Sequence, residues 1–362
     1  MATVGTAERQ AAKPRAAATI DCDIHIRPRA AKDLDEHLEE RWRRHRAAFG
    51  DRSPSGFHYP RAFPAASRTD SWPPGGGPPG SSLAFLREQH LDRWGLAFGV
   101  LNPLLGGGIS NIEYHAALAR AINDWQIAEW LDPEPRLRSS IVVPYEDAAL
   151  TATEIRRRAG DSRFAQVLLH IRTQEPLGRR RFWPMYDAAV ECGLPIGIHF
   201  GGHSGNPITG AGFPSFYIED HGGMATAFQD QLISLVCEGV FERFPGLKIV
   251  LIEGGCAWMA PLMWRLDRSW KLLREEIPDV TRLPSETIRE QVWATTQPME
   301  EPPRPQDFLD MLEELAMDER LMFATDYPHW DFDSPEQALP ARVPTNVRER
   351  ILSANARELY RL

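Results

Sequence analysis

The residues best suited to chemistry stand at the ends of short apolar runs. The first run reads Ile20-Asp21-Cys22-Asp23-Ile24-His25, and the two-residue period of a strand puts Asp21, Asp23 and His25 on one face. Burying carboxylates there without a cation or a partner is costly. A run at 194–198 ends in His199, with Gly201, Gly202 and His203 behind it, and a run at 321–325 leads into Asp326-Tyr327-Pro328-His329. His170 and Glu253 close two more. A lone histidine at such a place is ordinarily a core residue, but five run ends bearing ligand-capable groups point to one shared site. Imidazole together with carboxylate suits Zn²⁺, Mn²⁺ or Fe²⁺, whereas Ca²⁺ and Mg²⁺ prefer oxygen alone.

The elements that must position these groups are legible as an alternation. Strand-like runs at 19–25, 97–101, 138–143, 165–170, 195–200, 248–253, 291–295 and 321–325 are separated by helical patterns. In the pattern at 113–131, Ala117, Leu118, Ala121, Ile122, Trp125, Ala128 and Leu131 recur at helical spacing. Further helices are expected at 182–192 before Gly193, at 229–244 before Pro245, and at 258–276, 306–317 and 345–360. Such βα units imply a parallel sheet, and eight of them favour a closed (β/α)₈ TIM barrel. A barrel gathers the ends of its strands around one axis. No glycine-rich nucleotide loop follows the first run, and Gly106-Gly107-Gly108 lacks the phosphate-loop lysine and the dinucleotide spacing, so it reads as a tight turn.

The expected organisation is a flexible tail at 1–18 and a single barrel domain at 19–362. Residues 50–82, rich in Pro, Gly and Ser, form a lid-like insertion between the first two strands, which in a barrel lies over the C-terminal mouth. A hydrophobic content of 43% supports a large core. The net charge of −9 and the lack of any run of five basic residues argue against nucleic acid as a partner. Cys22, Cys192, Cys237 and Cys256 are scattered without C-x-x-C spacing, which fits a reducing cytoplasm. Residues 2–18 lack the apolar core of a signal peptide or a membrane span, so no membrane association is expected.

The motifs together resemble the amidohydrolase-related family that includes aminocarboxymuconate-semialdehyde decarboxylase and the resorcylate and carboxyvanillate decarboxylases. The likeness rests on 20–25, 193–202, Phe244-Pro245-Gly246-Leu247-Lys248 leading to Glu253-Gly254-Gly255, 324–329, and the closing Asn355-Ala356-Arg357-Glu358-Leu359-Tyr360. It implies one divalent metal held by Asp23, His25, His199 and Asp326, in an enzyme acting on a small carboxylate-bearing substrate by hydrolysis or non-oxidative decarboxylation. Many relatives have histidine where Asp23 stands; the carboxylate makes the site harder and tilts the expected metal from Zn²⁺ towards Mn²⁺ or Fe²⁺.

Glu253 stands where the decarboxylases place a histidine. It could act as a general base, or with His170 it could join the ligand set of a second metal. The sequence is also similar to a branch of the family with Fe/Fe or Mn/Fe centres, the hydroxylase components that include 2-aminoisobutyrate hydroxylases. That likeness implies a dinuclear monooxygenase served by a separate reductase. A third reading is a non-catalytic, metal-stabilised subunit, and the tryptophan-rich helices suit a homo- or hetero-oligomer. Among other candidates, His170 and His329 are expected to be catalytic beside Glu253, Arg27 and Arg172 could clamp a substrate carboxylate, and His203 and His221 could contact substrate.

Overall fold

The computed structural model describes residues 18–50, 64–107, 109, 111–202, 207 and 209–362. His203, the expected tail up to residue 17 and part of the expected lid, 51–63, lie outside them. The eight apolar runs form eight parallel strands, paired in chain order: β1 (Ile20–Ile24), β2 (Phe98–Leu101), β3 (Leu137–Val142), β4 (Phe164–Arg172), β5 (Ile196–Gly202), β6 (Ile249–Ile252), β7 (Val292–Thr295) and β8 (Leu321–Met322). The sheet curls until its edges meet. The amide of Cys22 donates to Phe323 O at 2.9 Å and that of His25 to Tyr327 O at 2.7 Å. This is a (β/α)₈ barrel.

Strand lengths depart from the sequence reading for a local reason. β8 stops at Met322 instead of running to Thr325, because the next amides bond elsewhere: Phe323 N donates to Ile351 O (2.9 Å), Ala324 N to Thr296 Oγ1 (3.1 Å) and Thr325 N to Asp21 Oδ1 (3.0 Å). The helix expected at 229–244 is two helices, Met224–Cys237 and Val240–Arg243. Gly239, at φ +72°, separates them in a left-handed conformation that a glycine adopts without steric cost. The helix Ile112–Gln126 starts at Asn111, whose side chain accepts from Tyr114 N at 3.0 Å, a cap worth about 1 kcal/mol. Trp183–Cys192 ends on Gly193 at φ +65°, as its sequence predicts.

Two apolar layers hold the barrel. The larger lies between helices and strands, and includes Ile24, Leu101, Ile141, Leu169, Ile198 and Leu251. The smaller contains Ile20, Cys22, Val100, Ala165, Val250, Ile252 and Met322, and is sealed by Ala356, Leu359 and Tyr360 of the last helix. The Tyr360 hydroxyl reaches into it and donates to Gln166 Oε1 at 2.9 Å. Among the described residues no helix is long and apolar enough to cross a membrane.

The described part of the insertion packs beside the strand ends. Arg27 N donates to Gly80 O (3.0 Å), Arg68 N to Pro328 O (3.0 Å) and Trp330 N to Ala66 O (3.0 Å). The chain after β1 is thus tied to the chain after β8.

Candidate metal centre

Asp23 lies on β1 and His25 directly follows it, His199 lies on β5, and Asp326 stands four residues after β8; all are buried. His199 Nε2 lies 3.2 Å from Asp23 Oδ2. His25 Nε2 lies 3.4 Å from Asp23 Oδ1 and 2.7 Å from Asp326 Oδ1. Potential ligand atoms of Asp23, His25 and His199 all fall within 4.8 Å of one another, and so do those of His25, Asp326 and His329.

Hydrogen bonds decide which ring nitrogens face the centre. His25 Nδ1 is 2.8 Å from Asn102 O, and His199 Nδ1 is 2.7 Å from Phe200 O. A carbonyl oxygen only accepts, so Nδ1 carries the proton in both rings and each Nε2 presents its lone pair to the carboxylates. Orienting a ligating imidazole through its other nitrogen is the usual device of metal sites.

Lone pairs facing carboxylate oxygens repel unless a positive charge lies between them. Without a metal that charge is a proton: burial opposes it, but Asp23 and Asp326 outweigh burial and raise His25 to about 9. Asp326 is held well below the usual carboxylate range, because His329 and His25 overcome the effect of burial. Among the described residues its Oδ2 is buried with no hydrogen-bond partner, a costly state that a cation relieves. Two carboxylates, two imidazoles and one orphaned oxygen fit a divalent ion of the Mn²⁺, Fe²⁺ or Zn²⁺ class.

Asp326 has φ +57° and Glu253, directly after β6, has φ +60°. Left-handed backbone at non-glycine residues costs about 1–3 kcal/mol and clusters at functional sites. Glu253 Oε2 lies 3.3 Å from His199 Nδ1. Burial, with Asp326 and Asp23 nearby, pushes its carboxyl well above the ordinary range.

The remaining candidates are distributed unevenly. His329, expected to be catalytic, lies against the cluster: its Nδ1 is 2.6 Å from Asp326 Oδ1 and its ring stacks on His25, centroids 4.4 Å apart. His170 pairs in register with His199 but lies outside both converging groups. Its ring packs on Tyr145 (5.4 Å), and burial, with His199 and His115 near, lowers it to about 3. Arg172 is buried, 3.3 Å from Asp220 and over the Phe200 ring. His221 pairs with Asp331 at 2.9 Å and lies beside Trp330 and Tyr217. Arg27 lines a cavity of about 380 Å³ with Arg29, Asp33 and Trp125, and no residue of the cluster borders it.

Asn102 borders the candidate cluster, and reading for acids and imidazoles passes over it. Its carbonyl orients His25, and its Nδ2 donates to Asp23 Oδ1 at 2.9 Å. The signal was present, since Asn102 is the polar residue that ends the second apolar run.

The sequence profile of the amidohydrolase family matches residues 20–362. No curated protein sequence matches the chain. Among solved structures, the fold is similar to an amidohydrolase from Mycobacterium avium subsp. paratuberculosis K-10, at 23% identity over 95% of this chain and 99% of that one, with TM-score 0.72. It is also similar to 5-carboxyvanillate decarboxylase from Sphingomonas paucimobilis, at 21% identity, 96% and 99% coverage and TM-score 0.68. A third is the dihydroxybenzoic acid decarboxylase from Polaromonas sp. JS666, solved with bound manganese and the inhibitor 2-nitroresorcinol, at 19% identity, 95% and 97% coverage and TM-score 0.65. The profile spans all eight strands and every residue of the buried cluster, and the chain belongs to the amidohydrolase family.

Proposed function

We propose that this chain is a divalent-metal-dependent enzyme that removes CO₂, without oxidation, from a small carboxylate-bearing substrate. The observation that carries the reading is the pair of buried groups that share His25, Asp23–His25–His199 and His25–Asp326–His329, with Asp326 Oδ2 unpartnered among the described residues. Decarboxylase activity and bound manganese in structures of the same fold support it.

When bound, a divalent ion supplies fixed positive charge that orients substrate oxygens and stabilises negative charge in the transition state. The chain's own residues supply the rest. Asn102 and Phe200 carbonyls fix the His25 and His199 rings. As the C–C bond breaks, CO₂ leaves and its electron pair stays on carbon, which must take a proton. Burial raises the Glu253 carboxyl and so favours its protonated form, and its position 3.3 Å from the His199 ring makes it our candidate for delivering that proton. Hydrolysis would use the same residue in the opposite sense, as a base towards water.

The dinuclear oxygenase reading needs His170 to join the ligand set, and its packing against Tyr145, outside both groups, gives that reading less support. Elemental analysis combined with gas measurements tests the proposal. The expected result is one equivalent of Mn, Fe or Zn per chain and CO₂ release from hydroxybenzoate-type carboxylates without O₂ uptake. Two equivalents of Fe or Mn with reductant-dependent O₂ consumption would overturn it.

A further inference from the structure

Asp21 belongs to neither converging group, yet its carboxylate is fully buried and accepts four hydrogen bonds. Oδ1 accepts from the amides of Asp23 (3.1 Å) and Thr325 (3.0 Å). Oδ2 accepts from the Thr325 hydroxyl (2.6 Å) and from His90 Nε2 (2.7 Å). Three of those four bonds come from residues next to the ligand set: Asp23 is itself a candidate ligand, and Thr325 immediately precedes Asp326.

The network continues around Asp326. The Thr325 hydroxyl accepts from Tyr327 N at 3.1 Å, and Tyr327 O accepts from His25 N at 2.7 Å. The His90 ring stacks on Tyr327, centroids 4.6 Å apart and planes 16° apart, and the Tyr327 hydroxyl donates to Gln89 Oε1 at 2.8 Å. Asp326 is therefore clamped on both flanks, in a left-handed conformation that persists only where its surroundings over-determine it. The regular β8 ladder ends at Met322, so beyond the isolated backbone bonds from Cys22 N to Phe323 O and from His25 N to Tyr327 O, side chains hold this stretch to β1.

We propose that Asp21, Thr325 and His90 form a positioning clasp that holds Asp23 and Asp326 at ligating separation and so sets the affinity of the centre for a divalent ion. The inference rests on the metal reading above. A carboxylate that merely stabilised the barrel would change stability and leave ion affinity alone; a clasp changes affinity in a protein that remains folded.

The test is titration of the chelator-stripped full chain with Mn²⁺, following the free-ion EPR signal, with folding checked by circular dichroism. Thr325→Val removes the hydroxyl and keeps the amide donor, and is expected to weaken Mn²⁺ binding about 10- to 100-fold, the usual effect of losing an outer-shell partner. Thr325→Ser restores the hydroxyl and should return affinity to near wild type. His90→Phe keeps the stacked ring but loses the hydrogen bond, and gives an independent reading should the valine variant fail to fold. Wild-type affinity in either folded variant, Thr325→Val or His90→Phe, overturns the clasp. A wild-type chain that takes up no Mn²⁺, Fe²⁺ or Zn²⁺ overturns the metal reading and the clasp together.

Discussion

His25 Nε2 lies 2.7 Å from Asp326 Oδ1, although 301 positions separate the two residues in the chain. Closure of the barrel between β8 and β1 brings them together, and Asp326 Oδ2 has no hydrogen-bond partner among the described residues. A cation placed there satisfies groups that otherwise compete for one proton.

Asp326→Asn keeps the shape and removes one negative charge from that point. Turnover should fall by about three orders of magnitude, equivalent to about 4 kcal/mol of transition-state stabilisation. Metal content should fall with it. Near-normal kcat in a variant shown to be metal-free would refute the role given to Asp326.

Glu253→Gln retains volume and hydrogen bonding but has no proton to give. A loss of about 10²- to 10⁴-fold in kcat is expected, with KM and bound metal little changed. An unaltered kcat would remove Glu253 from the proton-transfer step.

His115 offers a stability test apart from Asp23, His25, His199 and Asp326. Burial lowers its imidazole from 6.5 to about 4 in the folded chain. Between those values the unfolded chain binds the proton and the folded chain does not, so stability rises with pH across this window and declines as the solution is acidified from about 6.5 to about 4. Each unit of difference corresponds to about 1.4 kcal/mol. Urea unfolding of wild type and His115→Phe at a series of pH values measures it: the variant should show a shallower decline, and parallel curves would contradict the assignment.

Gly80 links the insertion to the site. Its φ is +75°, and a Cβ there would stand 2.5 Å from His25 O. Gly80→Ala should destabilise the protein by about 1–3 kcal/mol through backbone strain and displace the backbone carrying His25. Thermal unfolding together with metal content checks both effects; a variant as stable as wild type would show that the close approach is dispensable.

Much of this protein was determined by sequence alone, because two signals survive in one dimension. Alternating apolar runs and helical patterns count βα units directly, and a polar residue ending an apolar run points to the candidate site; His25, His170, His199, Glu253 and Asp326 all carry that mark. Other features depend on contacts between distant segments, and no local pattern encodes those. The two-residue period groups Asp21 with Asp23 and His25, but barrel closure turns its carboxylate to Thr325 and His90. His329 reaches the cluster because the turn after Asp326 folds it back onto His25, while Arg172 is taken up by Asp220, a pairing across 48 residues. Residue type and period state what a side chain is able to do; closure of the sheet decides which partner it meets.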